Sequence, residues 1–391
     1  MGVPTTPVLV RPDLGPAQDD HATTSTTADQ APACVLIACR NGEGQIATAV
    51  TRAIAQAPVF VVSDGSTDAT AAVARAAGAE VLELEQNVGK PAAIARALQH
   101  FGIVDAYATV AIIDDDTRIA DDFIVQSLRR MRAGVAIVVG KTVSDWRDEV
   151  RWNPWVASRA FAYWKYQLFI RHGQSALNVM TCIAGSNSLY RTSVLAQVVS
   201  EQTPYIVDDT YWTLETHRRK LGRIVYAPKA VAHIQDPTNG RDWYTQNLRW
   251  LWGTMQGING HKVGRKFTLF DVTYLGVMLD WLLYVVALPV MFFASLAITG
   301  NPVRTLAFYV AGYVLWAGIG AIALRKWRLV LMAPALIAVD WVQRVNFVHA
   351  FVKTIRQPRV ESCTWSSPTR YATEVTTVAA DVVAPEVAIA A

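Results

Sequence analysis

Three consecutive carboxylates, Asp114, Asp115 and Asp116, end an apolar run that starts at Thr109. A short apolar run closed by polar residues predicts a buried parallel strand over 109–114. In open α/β sheets ligands lie outside the carboxyl ends of such strands, so these acids would project into a crevice. Residues i and i+2 of an extended segment point the same way. Asp114 and Asp116 would then face one divalent ion while Asp115 faces away. Mg²⁺ or Mn²⁺ suits that pair, because a hard cation takes one or two carboxylates and completes its shell with substrate phosphates. The same residues, taken alone, read equally well as an acidic strand end or a helix N-cap.

Other reactive residues lie at similar junctions. Asp64 closes a run over 58–63, and Gly65 after it permits a tight turn. Ser66 or Thr67 is placed to cap the following helix, with Asp68 in its first turn. Asp64 suits either a nucleobase N–H or that turn alone. Lys90 stands where a helix over 90–101 would begin, near the same crevice, and suits a phosphate or a solvated surface. Asp208 and Asp209 precede an amphipathic stretch over 211–221, where either also reads as an N-cap.

The elements that must position these side chains alternate. Strands are predicted over 34–39, 58–63, 80–85, 109–114 and 135–140, with helices at 67–77 and 90–101 among those between them. Such alternation indicates βαβ units around a mostly parallel sheet, an α/β architecture suited to nucleotides. No G-x-G-x-x-G follows the first strand and no G-x-x-x-x-G-K-[ST] is present, against a dinucleotide cofactor and a P-loop NTPase. Aromatic residues recur at helical spacing over 151–171, available to helix packing or to sugar stacking. Residues 181–187 form a small, polar stretch before a strand at 188–191.

Six pieces in order, SDGSTDAT (63–70), NVGKPAA (87–93), IIDDDT (112–117), TCIAGSNSLYR (181–191), VDDT (207–210) and QNLRW (246–250), resemble glycosyltransferase family 2. The likeness spans roughly 34–250 and is to the inverting, GT-A-type, membrane-embedded polysaccharide-synthase-like branch. The family's usual Asp-Asp-Gly-Ser is Ser63-Asp64-Gly65-Ser66 here, and its Asn-Glu after the first strand is replaced by Arg40-Asn41-Gly42-Glu43. The resemblance implies a nucleotide-diphosphate sugar donor, UDP-linked, bound by Asp64, Lys90, Asp114, Asp116 and Arg249. It implies metal ligation by Asp116 and Asp114, and an acceptor site holding Gly185, Ser186, Gln246 and Trp250. Inverting transfer needs a base for the attacking hydroxyl; the resemblance makes Asp209 that base with Asp208 beside it. On a helix Gln246 shares a face with Arg249 and Trp250. Arg249 suits a diphosphate and Trp250 a sugar face.

Lys plus Arg total 36 and Asp plus Glu 32, a net charge of +4 that gives no reason to expect nucleic acid as a partner. Four cysteines show no ligand or disulfide spacing; Cys34 and Cys39 read as core residues. Apolar surplus collects late in the chain. Residues 281–298 are 18 uncharged positions and 306–324 are 19, predicting spans of about 276–298 and 304–324. Lys262, Arg265 and Lys266 precede them and Arg325, Lys326 and Arg328 follow, which orients a hairpin with both ends cytosolic at the plasma membrane. A third element over 329–350 reads as a short span, a re-entrant segment or an interfacial helix. The expected organisation is a disordered tail (1–32), a GT-A domain (33–240), an interfacial QxxRW helix (241–268), a membrane region (269–352) and a cytosolic tail (353–391). Expected partners are the UDP-sugar, a growing glycan or lipid-linked acceptor, membrane lipids, and further protomers or a helper membrane subunit. A single-addition transferase and a silent sugar-nucleotide-binding subunit are the competing readings.

Overall fold

The computed structural model describes residues 32–200 and 205–360. Positions 1–31 of the expected tail, and everything from 361, where residues 365–370 resemble a tail motif of the polysaccharide-synthase-like branch, lie outside the described residues.

One eight-stranded sheet organises residues 34–234. Its strands are β1 (Cys34–Cys39), β2 (Val59–Asp64), β3 (Glu80–Leu84), β4 (Thr109–Ile113), β5 (Arg118–Ile119), β6 (Val135–Ser144), β7 (Asn187–Arg191) and β8 (Arg223–Ile234). They lie in the order β3-β2-β1-β4-β7-β6-β8-β5. β1 to β4 form parallel neighbours, and β6 pairs parallel with β8. β7 enters between β4 and β6 antiparallel to both, and β5 is antiparallel to β8. The sheet is buried on both faces: Val35 and Ile37 pack on one side while Cys34 and Leu36 pack on the other. That two-sided burial is why the first strands read as unbroken apolar runs rather than alternating ones. Cys34 and Cys39 are core residues, as expected.

Several boundaries differ from the sequence reading. β4 stops at Ile113, and β6 continues past 140 to Ser144. β5 and β8 were not predicted. β8 carries Pro228 and Lys229 in mid-strand, where a register shift opposite Gly140 and Lys141 breaks the alternation. The helix between β2 and β3 begins at Thr70 without a cap from Ser66 or Thr67. Asp68 Oδ1 accepts the Thr70 N–H at 3.1 Å, and Glu43 Oε2 accepts the Ala69 N–H at 3.0 Å. Ser66 instead accepts from the Asn41 N–H, at 3.1 Å.

The C-terminal part is helical. The QxxRW helix is Gly240–Gly260, shorter than the expected 241–268. Helices Leu269–Thr299 and Pro302–Leu324 are long and apolar enough to cross a membrane by length and composition, and none of the most apolar stretch of the first is buried. The third element is a short turn at Arg328–Leu331 followed by one helix, Ala333–Arg356, which runs through Asp340 and Arg344 and enters the region expected as tail. It lies along Gly240–Gly260, where Asn346 donates to the Tyr244 carbonyl at 2.7 Å. Its outer face leaves Trp341, Val345, Val348, Phe351, Val352 and Ile355 exposed, an apolar stripe at helical spacing.

Candidate active site

The carboxyl ends of β1, β2, β4 and β8 open on one cleft of about 470 Å³, lined among others by Arg40, Asp64, Asp116 and Asp236. All eleven site residues named from the sequence line it: Asp64, Lys90, Asp114, Asp116, Gly185, Ser186, Asp208, Asp209, Gln246, Arg249 and Trp250.

Asp64 is buried, and each of its oxygens accepts a backbone N–H, from Val88 at 2.7 Å and from Gly89 at 2.9 Å. It therefore clamps the loop from which the helix Lys90–His100 starts. A carboxylate offers about four acceptor sites, so about two remain for a ligand. Asp64→Asn replaces an acceptor by an amide nitrogen and leaves a clamped N–H unpaired. The expected cost is about 1–3 kcal/mol, read as a lower urea midpoint together with weaker donor binding as Lys90 loosens.

Lys90 stands at the centre of the cleft. Its Nζ donates to Asp114 Oδ1 at 2.5 Å and to the Gly185 carbonyl at 3.1 Å. Burial pulls its ammonium down, but Asp114, Asp208 and Asp209 outweigh that and hold it above its ordinary value. A Cβ on Gly185 would lie 3.4 Å from Asp209 Oδ2. Lys90 and Gly185 thus bring the Asp114 turn and the Asp209 helix to opposite sides of one point.

Asp115 does not face away. With β4 ended at Ile113, the three acids lie in a turn in which the Thr117 N–H donates to the Asp114 carbonyl at 3.0 Å, and alternation no longer applies. Asp115 lines the cleft, and its Oδ2 accepts the Cys39 S–H at 3.3 Å. Burial first, then Asp115's charge, holds the Cys39 thiol well above its ordinary range, so it stays protonated.

Asp208 and Asp209 occupy the first turn of helix Asp208–Arg218; its N-cap is Val207, so neither is the cap. Burial and the neighbouring Asp208 push the Asp209 carboxyl up to about 7, against the opposing pull of Lys90, the Thr210 N–H and Arg249. One oxygen of Asp208 is buried without a hydrogen-bond partner.

The sequence reading missed several lining groups. The aromatic segment 151–171 divides its labour. Trp155 packs on Trp243 and Trp164 stacks on Phe161, whereas Tyr163 and Tyr166 line the cleft. Arg159, also missed, donates to Gln246 Oε1 at 2.9 Å and sits 4.2 Å from the centre of the Trp250 ring, tying those two residues together. Gln235 and Asp236 were invisible because β8 was. Aromatic spacing was the one signal that could have found Tyr163 and Tyr166.

Seven carboxylates (Asp64, Asp114, Asp115, Asp116, Asp208, Asp209, Asp236) face four cationic side chains (Arg40, Lys90, Arg171, Arg249) around the cleft. A negative excess of three would repel an anionic diphosphate entering alone, which favours entry with a cation. Carboxylate oxygens suit a hard divalent ion, and among the described residues no three ligating side chains cluster. Ligand oxygens would complete the shell, the usual arrangement for Mg²⁺.

The mostly parallel sheet, the acidic turn after β4 and the carboxylate-bearing helix opposite it match the arrangement expected of a glycosyltransferase of the GT-A type. The chain belongs to the family described as "Glycosyltransferase like family 2", whose model matches residues 31–253. Among solved structures it is similar to glucosyl-3-phosphoglycerate synthase from Mycobacterium tuberculosis in complex with Mg²⁺ and uridine diphosphate. That likeness has 17% identity and a TM-score of 0.40, covering 59% of this chain and 79% of that one. The same synthase with Mn²⁺, uridine diphosphate and glucosyl-3-phosphoglycerate gives 18% identity and a TM-score of 0.39, with the same coverage. Another similar structure, titled only as a mycobacterial protein, gives 16% identity and a TM-score of 0.39, covering 59% of this chain and 74% of that one. No curated protein matches the chain.

Proposed function

We propose that this glycosyltransferase is membrane-bound and inverting, moving a sugar from a UDP-linked donor onto a hydroxyl of a growing glycan or lipid-linked acceptor. The observation that carries the reading is the placement of Asp209 across Lys90 and Gly185 from Asp114. Asp209 accepts the hydroxyl proton while that oxygen attacks the anomeric carbon opposite the departing diphosphate. A carboxyl near 7 is well matched to this work at neutral pH. Lys90 and Arg249 hold the diphosphate, and Trp250, propped by Arg159, lines the cleft for the acceptor. Asp116 and Asp114 would hold a Mg²⁺ or Mn²⁺ ion, which supplies neutralisation of the leaving group's charge.

Membrane attachment is supported by the way both ends of the apolar hairpin return to the catalytic part. At its start Arg218 donates to buried Asp271 at 3.0 and 2.7 Å. At its far end Lys326 donates to the Trp146 carbonyl at 3.5 Å, and Trp316 packs on Phe161. Basic residues cluster at both ends, which supports a cytosolic side for them and for the catalytic part. The exposed stripe of Ala333–Arg356 then lies in the interface as an amphipathic helix rather than crossing.

Two crossing helices among the described residues are too few to enclose a channel. That favours single addition to a lipid-linked acceptor over processive extrusion by one chain. The test is to incubate membranes containing the protein with a panel of UDP- and GDP-sugars and Mn²⁺ or Mg²⁺, following nucleotide release and product mass. Products one sugar heavier than the acceptor fit single addition, and a ladder fits a polymerase. Absence of sugar transfer with every donor would defeat the reading.

A further inference from the structure

We propose that Arg171 anchors a phosphate on the acceptor, and that the acceptor's hydrocarbon chain leaves the cleft over Leu168, Phe169 and Ile170. The inference deepens the transferase reading and takes the word acceptor from it.

Arg171 is 6% exposed and lines the cleft. Its guanidinium forms no ion pair among the described residues. Nη1 and Nη2 donate to the carbonyls of Gly140 and Cys182, at 3.4 and 3.5 Å, the guanidinium carbon lies 5.4 Å from the centre of the Tyr166 ring, and Nε has no hydrogen-bond partner. A buried charge that makes no direct ion pair is costly, and arginine cannot escape the cost by losing its proton. An oxyanion arriving with a ligand removes that cost, and the planar fork of arginine matches phosphate oxygens.

Position assigns the anion to the acceptor. From Arg171 the contacts run to the Cys182 backbone, from the Cys182 thiol to the Thr210 hydroxyl at 3.9 Å, and from that hydroxyl to Asp209 Oδ1 at 3.4 Å. Arg171 is therefore linked to the proton acceptor through Cys182 and Thr210, whereas Asp114 pairs with Lys90.

The segment carrying Arg171 faces two ways. Gln167–Arg171 is a single π-helical turn, a rare geometry that is frequent at functional sites. Gln167 and Arg171 point inward at 5% and 6% exposure, and Leu168, Phe169 and Ile170 stand outward at 49%, 61% and 40%. The Phe169 ring stacks 6.4 Å from Trp316 of the helix Pro302–Leu324, so the outer face is continuous with the apolar hairpin. One five-residue turn thus offers a cation to the cleft and an apolar surface to the bilayer, the two ends of an amphiphile.

The experiment uses the full chain in phosphatidylcholine nanodiscs. Native mass spectrometry measures binding of phytanyl phosphate, phytanol and glycerol 3-phosphate, with and without UDP plus Mn²⁺. Phytanyl phosphate is expected to bind the wild type at least about tenfold tighter than either of the others. Arg171→Met should weaken it about 100-fold, the scale of losing a buried charge partner, and Arg171→Lys should weaken it less. UDP–Mn²⁺ binding should stay within about twofold in both variants, which also reports that they fold. Equal binding of phytanyl phosphate and phytanol, or no effect of Arg171→Met, would overturn the proposal. So would loss of UDP affinity in a folded variant, which would move Arg171 to the donor. Glycerol 3-phosphate binding as tightly as the lipid would keep the anion site and overturn the hydrocarbon exit. A wild type that discriminates these lipids through Arg171 yet binds no UDP would instead strike the transferase reading.

Discussion

Asp209→Asn is expected to lower turnover by about 10²- to 10⁴-fold while metal-dependent UDP binding stays intact. The amide keeps the size and most contacts of the side chain but cannot take the acceptor's proton. Nucleotide release in the presence of acceptor measures the first effect and calorimetry with UDP plus Mn²⁺ the second. A silent binding subunit would show no phenotype from this change. The wild-type pH profile provides a second reading of the same group. The base works ionised, so kcat/KM should be low in acid, rise as pH passes through about 7, and level off above it. Asp208 raises Asp209 by repulsion between the two carboxylates. Asp208→Asn removes that repulsion, so the acid limb should move to lower pH. A limb that stays fixed in Asp208→Asn, or full turnover in Asp209→Asn, would remove Asp209 from the base role.

Excess chelator is expected to reduce transfer by about 10²- to 10³-fold, and Asp116→Asn to do nearly the same in saturating Mn²⁺; charge stabilisation of several kcal/mol is the usual scale for an ion at a phosphoryl group. The reason lies in the charge balance, since seven carboxylates and four cations leave the cleft hostile to a bare diphosphate. The two variants should separate cleanly. Asp116→Asn loses Mn²⁺-dependent UDP affinity, whereas Asp209→Asn loses only turnover. Sugar transfer that continues undiminished in chelator would refute the assignment of Asp114 and Asp116.

The sequence by itself determined the class of chemistry and most of the site. β1, β2 and β4 read as apolar runs because a parallel sheet covered on both faces demands it, and each ends at or one residue before a side chain that lines the cleft. Motif order then named eleven side chains from six separated stretches, and all eleven line one cleft. Length and charge bias likewise singled out two helices that are apolar over a bilayer's thickness.

Tertiary structure decided what no local pattern records. Asp115 turns into the cleft because β4 stops one residue early, and a strand end is fixed by pairing with β7, which lies 74 positions further along the chain (Ile113 against Asn187). Asp64 proves to be a clamp on the 87–89 loop only once β2 and β3 stand side by side. β8 was hidden by a proline and a lysine that a bulge accommodates, and Asp236 with it. Arg171 looked like one more basic residue on an aromatic helix. Only the fold shows that it is buried without a direct ion pair among the described residues, because burial and pairing depend on partners from β6 and the 181–187 loop that the local sequence does not contain.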